Sequence, residues 1–187
     1  MKKFLPLVVF LVVFSAVLAG QIGLKIVNEN KNDKSENVEK NENKKYENLF
    51  LSLKLKSLED KTVELFKLQT PLVVVNFWAS WCRPCLEEMP SMIKLKNNLK
   101  TDVLSIIAIN TDEEDQINNI KKIKAKIKLK DEFIVVPDKE GALTNEFNIS
   151  AIPVTVIFLQ GKVVHVQNGP MDFNSIELKE KINNWIK

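Results

Sequence analysis

The alternation of apolar and polar residues divides the chain into three parts. Residues 1–24 are mostly apolar, residues 25–48 are polar and charged, and residues 49–187 alternate between short apolar runs and amphipathic stretches. Strand-like and helix-like patterns follow one another through the third part, which closes on a hairpin and a helix. This order predicts one α/β domain in which helices flank a mixed central β-sheet.

Individual elements follow from the period and length of each apolar run. Leu72–Trp78 and Val103–Ile109 are continuous apolar runs that predict strands buried on both faces. Alternating leucines from Leu49 to Leu55, followed by a turn and residues 62–66, predict an N-terminal β-hairpin. The remaining patterns predict a helix with its capping signal at 111–114, helices at 87–100, 139–147 and 173–187, and strands at 133–136, 154–159 and 162–166.

Residues 1–24 have the pattern of an export segment. Two N-terminal lysines precede an apolar stretch from Phe4 to Leu18, and Ala19 is a small residue suited to cleavage. The stretch continues far enough to span a bilayer, so a cleaved signal peptide and a retained membrane anchor both remain open. Gln21 occupies the position that a lipidated Cys would need, which excludes lipidation. We expect the remaining chain in the periplasm or on the outer face of the cytoplasmic membrane.

Residues 25–48 are too polar to bury enough apolar surface to offset the entropy of ordering. They predict a disordered segment, either a plain spacer or a tether between the membrane and the domain at 49–187.

The chemistry of the chain centres on Cys82 and Cys85, its only cysteines. In an oxidising compartment such a pair is a disulfide, a redox couple or a metal site. A structural zinc site needs four ligands, and a c-type haem site needs His where Leu86 stands. A redox role is therefore favoured, with copper(I) binding and a purely structural disulfide as alternatives.

A helix that begins near Cys82 would make this thiol the more reactive of the two. Unpaired backbone N–H groups at a helix N-terminus stabilise the thiolate, which is the attacking form, and Arg83 adds a positive charge. Cys85 would lie one turn deeper on the same side, where it can resolve a mixed disulfide on Cys82.

The segment around the two cysteines resembles the active site of the thioredoxin superfamily. Residues 76–90 read NFWASWCRPCLEEMP, and the similarity to the exported TlpA/ResA-like branch continues through Asn148–Pro153, Phe158, Gly161-Lys162 and Gly169. It covers residues 49–187. The resemblance implies a thioredoxin-like fold with an extra N-terminal β-hairpin, and it implies a thiol–disulfide oxidoreductase.

Residue by residue, the resemblance makes Cys82 the nucleophile and Cys85 the resolving thiol. Pro153 matches the cis-proline that faces the disulfide in this family, although most X-Pro bonds are trans. Ile152 would then offer its backbone to a bound polypeptide. Val154 departs from the Thr that the family more often has after this proline.

Glu88 matches a position where TlpA/ResA-like proteins often carry a functional acid. A partly desolvated acid there would have a raised pKa and could take the proton of Cys85. Asn76 stands where cytosolic thioredoxins have a buried Asp, so the proton-accepting role would pass to Glu88. Glu87 is expected to face solvent. The alternative is that Glu88 is a surface charge.

Three further features complete the sequence predictions. Trp81 predicts an exposed docking residue beside the nucleophile, and Trp78 predicts a core residue. The single histidine, His165, alternates with valines and is expected on an exposed strand face. A run of lysines over residues 121–130 predicts a solvated helix face.

These observations together predict an exported reductase of disulfides in selected polypeptides. The family resemblance makes apocytochrome c the leading substrate, and a membrane thiol-electron carrier would re-reduce the pair. We expect no free cofactor, no metal and a monomer, and a net charge of +3 is too small to indicate nucleic-acid binding. A disulfide oxidase or isomerase and a copper(I) chaperone are the alternatives.

Overall fold

The computed structural model of the protein describes residues 37–100 and 102–186. The predicted export segment at 1–24 and the first part of the predicted tether lie outside the described residues. The compact domain comprises Lys44–Lys187. No helix in the described part of the chain has the length and apolar character needed to cross a bilayer.

The order of elements follows the alternation that the sequence predicts. The strands are β1 (Lys54–Lys56), β2 (Thr62–Glu64), β3 (Leu72–Trp78), β4 (Leu104–Asn110), β5 (Ile134–Pro137), β6 (Val154–Leu159) and β7 (Lys162–Asn168). The α-helices are α1 (37–52), α2 (Arg83–Asn98), α3 (Gln116–Lys126), α4 (Ala142–Glu146) and α5 (Ile176–Trp185). Two single-turn 3₁₀ helices occupy Leu65–Lys67 and Lys139–Gly141.

Five strands form the central sheet in the order β5-β4-β3-β6-β7, and β1 and β2 form a separate antiparallel hairpin. Strand β3 pairs in parallel with β4, which pairs in parallel with β5. Strands β6 and β7 run antiparallel to their neighbours. The predicted mixed sheet flanked by helices and the predicted N-terminal hairpin are both confirmed.

Successive residues of β3 point to opposite faces of the sheet, and both faces are buried. Leu72, Val74 and Trp78 belong to the apolar cluster that includes residues of α2, α3 and α5. The odd-numbered residues of β3 belong to a second cluster, which includes residues of α1 and the hairpin. Asn76 is the polar exception on the α2 face, and it marks the site described below.

Helix α1 contradicts two sequence predictions. Residues 37–48 are helical rather than disordered, and residues 49–52 continue the helix rather than forming a strand. Tyr46, Leu49, Phe50 and Leu53 are spaced at i, i+3, i+4 and i+7, which is a helical stripe. The strand prediction relied on leucines at every second position. One of these, Leu51, is 62% exposed and does not belong to the buried stripe.

The helical stripe packs on the face of the sheet opposite to α2. The ring centroid of Phe50 lies 4.9 Å from that of Phe158 in β6. Gly161, in the turn between β6 and β7, has φ +80°, and a Cβ there would lie 3.3 Å from the Phe50 ring. Glu47 Oε2 accepts from Lys162 Nζ at 2.9 Å. These contacts tie α1 to the β6–β7 hairpin.

Helices α2 and α3 begin at positions that differ from the prediction. Helix α2 starts at Arg83, four residues before the predicted start, and continues through Pro90. Helix α3 begins at Gln116 after Asp115, which has a left-handed backbone and makes no capping bond with its side chain. The predicted capping signal at 111–114 is therefore wrong.

Replacement of Phe50 by Ala should lower the free energy of unfolding by about 3 kcal/mol, because it leaves a cavity between α1 and β6. The matched Leu51→Ala change should cost no more than about 0.5 kcal/mol, since that side chain is exposed. Urea unfolding measures both. Equal losses for the two variants would show that α1 does not pack as described.

Candidate active site

The two cysteines lie where β3 passes into α2. They are joined in a disulfide, and Cys82 is the N-cap residue of α2. The N–H of Cys85 points at the sulfur of Cys82, with the two atoms 3.3 Å apart. Cys82 is 5% exposed and Cys85 is 0% exposed. Both cysteines are therefore buried, and the first sulfur differs from the second by its place at the helix N-terminus, where it accepts from the Cys85 N–H.

Arg83 does not direct its charge to Cys82 as the sequence suggested. Its Nε donates to Glu87 Oε1 at 2.7 Å, and both side chains are largely exposed. This ion pair holds the charge of Arg83 on the outer surface of α2. The stabilisation of a Cys82 thiolate therefore rests mainly on the helix N-terminus. The expectation that Glu87 faces solvent is confirmed.

Glu88 lies on the inner side of α2, one turn after Cys85, and is only 5% exposed. Its Oε1 accepts from Asn76 Nδ2 at 2.8 Å, and its Oε2 accepts from the N–H of Met171 at 3.0 Å. Burial raises the pKa of Glu88 above its ordinary value, and the bonds from Met171 and Asn76 oppose that rise. A buried acid of this kind holds a proton more readily than an exposed one.

Asn76 connects Glu88 to the neighbouring strand. Its Nδ2 also donates to Thr155 Oγ1 at 3.0 Å, and Thr155 is the direct partner of Asn76 across the β3–β6 pair. All three side chains are buried. Asn76 Oδ1 is also buried and has no hydrogen-bond partner among the described residues. The amide thus directs both of its hydrogens at oxygen atoms.

Pro153 precedes β6 and is joined to Ile152 by a cis peptide bond, as the resemblance implied. The carbonyl oxygen of Pro153 accepts from the N–H of Gly169 at 2.9 Å. Ile152 is half-buried and packs against the cluster that contains both cysteines. Pro153 is therefore tied to the residue that follows β7, and Ile152 lies at the edge of the site.

Trp81, which precedes Cys82 in sequence, and Ile152, which precedes Pro153, both line a groove of about 790 Å³. Trp81 is 72% exposed, whereas Trp78 is buried in the core as predicted. The two candidate substrate-binding residues therefore border one open groove.

Asp112 is a site residue that the sequence did not reveal. Its Oδ1 accepts from the N–H of Ser80 at 2.9 Å, which ties the loop before Cys82 to the end of β4. Its Oδ2 accepts from Asn110 at 3.2 Å. The sequence pattern resembled a helix cap, and nothing local to it indicated a bond to a loop 32 residues earlier.

The remaining candidates lie apart from this site. His165 is half-buried rather than exposed, and burial lowers its pKa. It pairs with Ile157, level with Val74 and well before the end of β3 that carries the cysteines. No group of three or more His, Cys, Asp or Glu side chains that could hold a metal occurs in the described ranges.

Comparisons with known proteins identify the family and the fold. A family model described as Redoxin matches residues 31–180. The thiol-disulfide oxidoreductase ResA of Halalkalibacterium halodurans is 32% identical over 124 residues, which cover 66% of this chain and 68% of that protein.

Two solved structures show that the predicted thioredoxin-like fold is correct. StoA from Bacillus subtilis superposes with a TM-score of 0.57 at 23% identity, covering 72% of this chain and 96% of that one. The thioredoxin domain of a thiol-disulfide oxidoreductase from Bacteroides vulgatus gives a TM-score of 0.58 at 20% identity, covering 72% and 93%.

The raised pKa of Glu88 makes stability depend on pH in a defined direction. In the oxidised protein the folded state keeps the Glu88 proton to higher pH than the unfolded state does, so stability falls as pH rises from about 4.5 through the raised pKa. Glu88→Gln has no proton to lose at this position, so its stability should not fall in this way. The unfolding free energy of Glu88→Gln minus that of the wild type should therefore increase as pH rises through the same window. Chemical unfolding at several pH values measures the difference.

The exposed Glu87→Gln variant is the matched control and should follow the wild type at every pH. A difference between Glu88→Gln and the wild type that does not change with pH would contradict the assignment.

Proposed function

Because this chain belongs to the Redoxin family and is a ResA-like thiol–disulfide oxidoreductase, we propose that it reduces disulfides in selected exported polypeptides through Cys82 and Cys85. The observation that carries the proposal is the bond from the Cys85 N–H to Cys82 Sγ at the N-terminus of α2. It distinguishes the two sulfurs, since the helix N-terminus favours a thiolate on the first.

The first step is an attack by the Cys82 thiolate on one sulfur of the substrate disulfide. A bond forms between Cys82 Sγ and that sulfur, the substrate S–S bond breaks, and the other substrate sulfur leaves as a thiolate that takes a proton from solvent. The product is a mixed disulfide between Cys82 and the polypeptide.

The second step releases the substrate. Cys85 loses its proton, and its thiolate attacks Cys82 Sγ to form the intramolecular disulfide. The second substrate sulfur leaves as a thiolate that takes a proton from solvent, so two electrons pass from the dithiol to the substrate. Glu88 is the proposed acceptor of the Cys85 proton, because it lies one helical turn away and is buried enough to have a raised pKa.

The groove bordered by Trp81 and Ile152 is the proposed docking surface for the polypeptide. An exposed aromatic side chain supplies apolar contact area beside the attacking sulfur. The backbone of Ile152 would pair with the substrate chain next to Pro153. Apocytochrome c is the proposed substrate, in the context of cytochrome c maturation, and this rests on the family resemblance alone.

The proposed location is the periplasm or the outer face of the cytoplasmic membrane, with the N-terminal segment as signal peptide or anchor. The basis is the pattern of residues 1–24. An oxidising compartment requires outside help to keep the pair reduced. We therefore include a membrane dithiol carrier that reduces the Cys82–Cys85 disulfide and is itself oxidised.

A disulfide oxidase or isomerase is the alternative within the same chemistry, because the steps above are reversible. Pro84 before the second cysteine resembles reductants, and the pairing of Arg83 with Glu87 weakens the main argument for an oxidant. A copper(I) chaperone is less favoured, since the described ranges contain no group of three or more His, Cys, Asp or Glu side chains that could hold a metal.

Cys85→Ala should trap substrates, because the mixed disulfide on Cys82 can no longer be resolved. In the source cells this variant should yield covalent adducts that disappear on reduction, and mass spectrometry would identify the attached polypeptides. Cys82→Ala is the control and should trap none, since Cys85 is enclosed. Recovery of no adducts with Cys85→Ala, or of equal adducts with both variants, would contradict the mechanism.

A further inference from the structure

The amide of Asn76 lies between two buried oxygens and leaves its own oxygen unpaired. Its Nδ2 donates to Glu88 Oε1 at 2.8 Å and to Thr155 Oγ1 at 3.0 Å. Asn76 Oδ1 is buried with no partner in the described part of the chain. A buried amide oxygen without a hydrogen bond costs free energy, so this orientation requires a compensating reason.

The ionised state of Glu88 supplies that reason. A carboxylate is an acceptor only, and both of its oxygens face N–H donors here, one from Asn76 and one from the Met171 backbone. Protonated Glu88 would place a hydrogen against one of those donors. The Met171 N–H belongs to the backbone, whereas the Asn76 amide can turn about its terminal bond and present Oδ1 to a Glu88 O–H.

We propose that Thr155 is a positioning residue for Glu88, because its hydroxyl holds the Asn76 amide in the orientation that donates to the carboxylate. This inference rests on the proposed role of Glu88 as proton acceptor and deepens it. Thr155 lies in β6, two residues after Pro153 and directly opposite Asn76. The strand that follows the cis-proline is thereby linked to Glu88 through the side chain of Asn76.

The direction of the effect follows from counting hydrogen bonds in the two states of Glu88. With Glu88 ionised, both Nδ2 hydrogens of Asn76 are used, one by Thr155. With Glu88 protonated and the amide turned, Oδ1 accepts from Glu88 and also from the Thr155 hydroxyl. In that state Nδ2 takes the place of Oδ1, where no partner lies among the described residues, with or without the hydroxyl. Removal of the hydroxyl therefore adds a newly unpaired buried N–H only in the ionised state, because Oδ1 keeps its bond from Glu88 in the other. Loss of the hydroxyl therefore favours protonation.

The groups that face Glu88 are otherwise neutral in the oxidised protein. Asn76 faces it from β3, and the Met171 N–H faces it from the loop before α5. On its own helix the ionisable neighbour one turn away is Cys85, which does not titrate while it is in the disulfide. Titration of Glu88 in the disulfide form thus reports on this network without interference from the titration of the Cys85 thiol.

The test compares Thr155→Val with Thr155→Ser in the oxidised protein. Carbon-13 NMR of labelled glutamate side chains gives the midpoint at which Glu88 titrates. Thr155→Val should raise this midpoint by about one pH unit, because the ionised state loses one buried hydrogen bond. Thr155→Ser retains the hydroxyl and should stay close to the wild type. If Thr155→Val does not fold, Thr155→Ala removes the same hydroxyl and should give the same shift.

A midpoint that is unchanged in the variants without a hydroxyl, or shifted equally in Thr155→Ser, would overturn the proposal. Single-turnover reduction of a disulfide peptide, followed against pH, separates this proposal from the proposed function. A shifted Glu88 midpoint with an unshifted rate profile would support the role of Thr155 and contradict the role of Glu88 in proton transfer. Rate profiles that shift upward with the midpoint support both.

Discussion

The start of helix α2 at Arg83, with Cys82 as its N-cap, is the constraint on which the site depends. Because the helix begins there, the Cys85 N–H is unpaired within the helix and donates to the Cys82 sulfur. The same start places residues 82, 85 and 88 at successive turns of one side of α2. A helix that began at the predicted residue 87 would have left both sulfurs in a loop, with neither distinguished from the other.

The central sheet provides most of the environment of Glu88. Asn76 from β3, Thr155 from β6 and the Met171 backbone converge on Glu88, although they are far apart in sequence. Strand pairing brings the first two together in register. The network opposes the effect of burial on the Glu88 pKa without abolishing it. The local helix thus sets the chemistry of Cys82, and the tertiary fold sets the environment near Cys85.

The sequence predicted elements that a continuous apolar run defines, such as β3 at Leu72–Trp78. It failed where two periodicities overlapped, because the leucines at 49–55 fit a strand and the stripe with Tyr46 and Phe50 fits a helix. The cysteine motif and Glu88 were accessible because they lie within one short segment. Asp112 and the Met171 N–H were not, since their partners lie 32 and 83 residues away and no local pattern encodes such contacts.

The proposed direction of electron flow, from Cys82 and Cys85 to a substrate disulfide, is tested by the reduction potential of the pair. A strong oxidant owes its potential to a stabilised reduced form. Here Arg83 is paired with Glu87, and a buried carboxylate near Cys85 disfavours a second thiolate. We expect a potential at or below about −200 mV when the protein is equilibrated with a thiol–disulfide buffer. A value near about −120 mV, typical of a strong oxidant, would contradict the proposed direction.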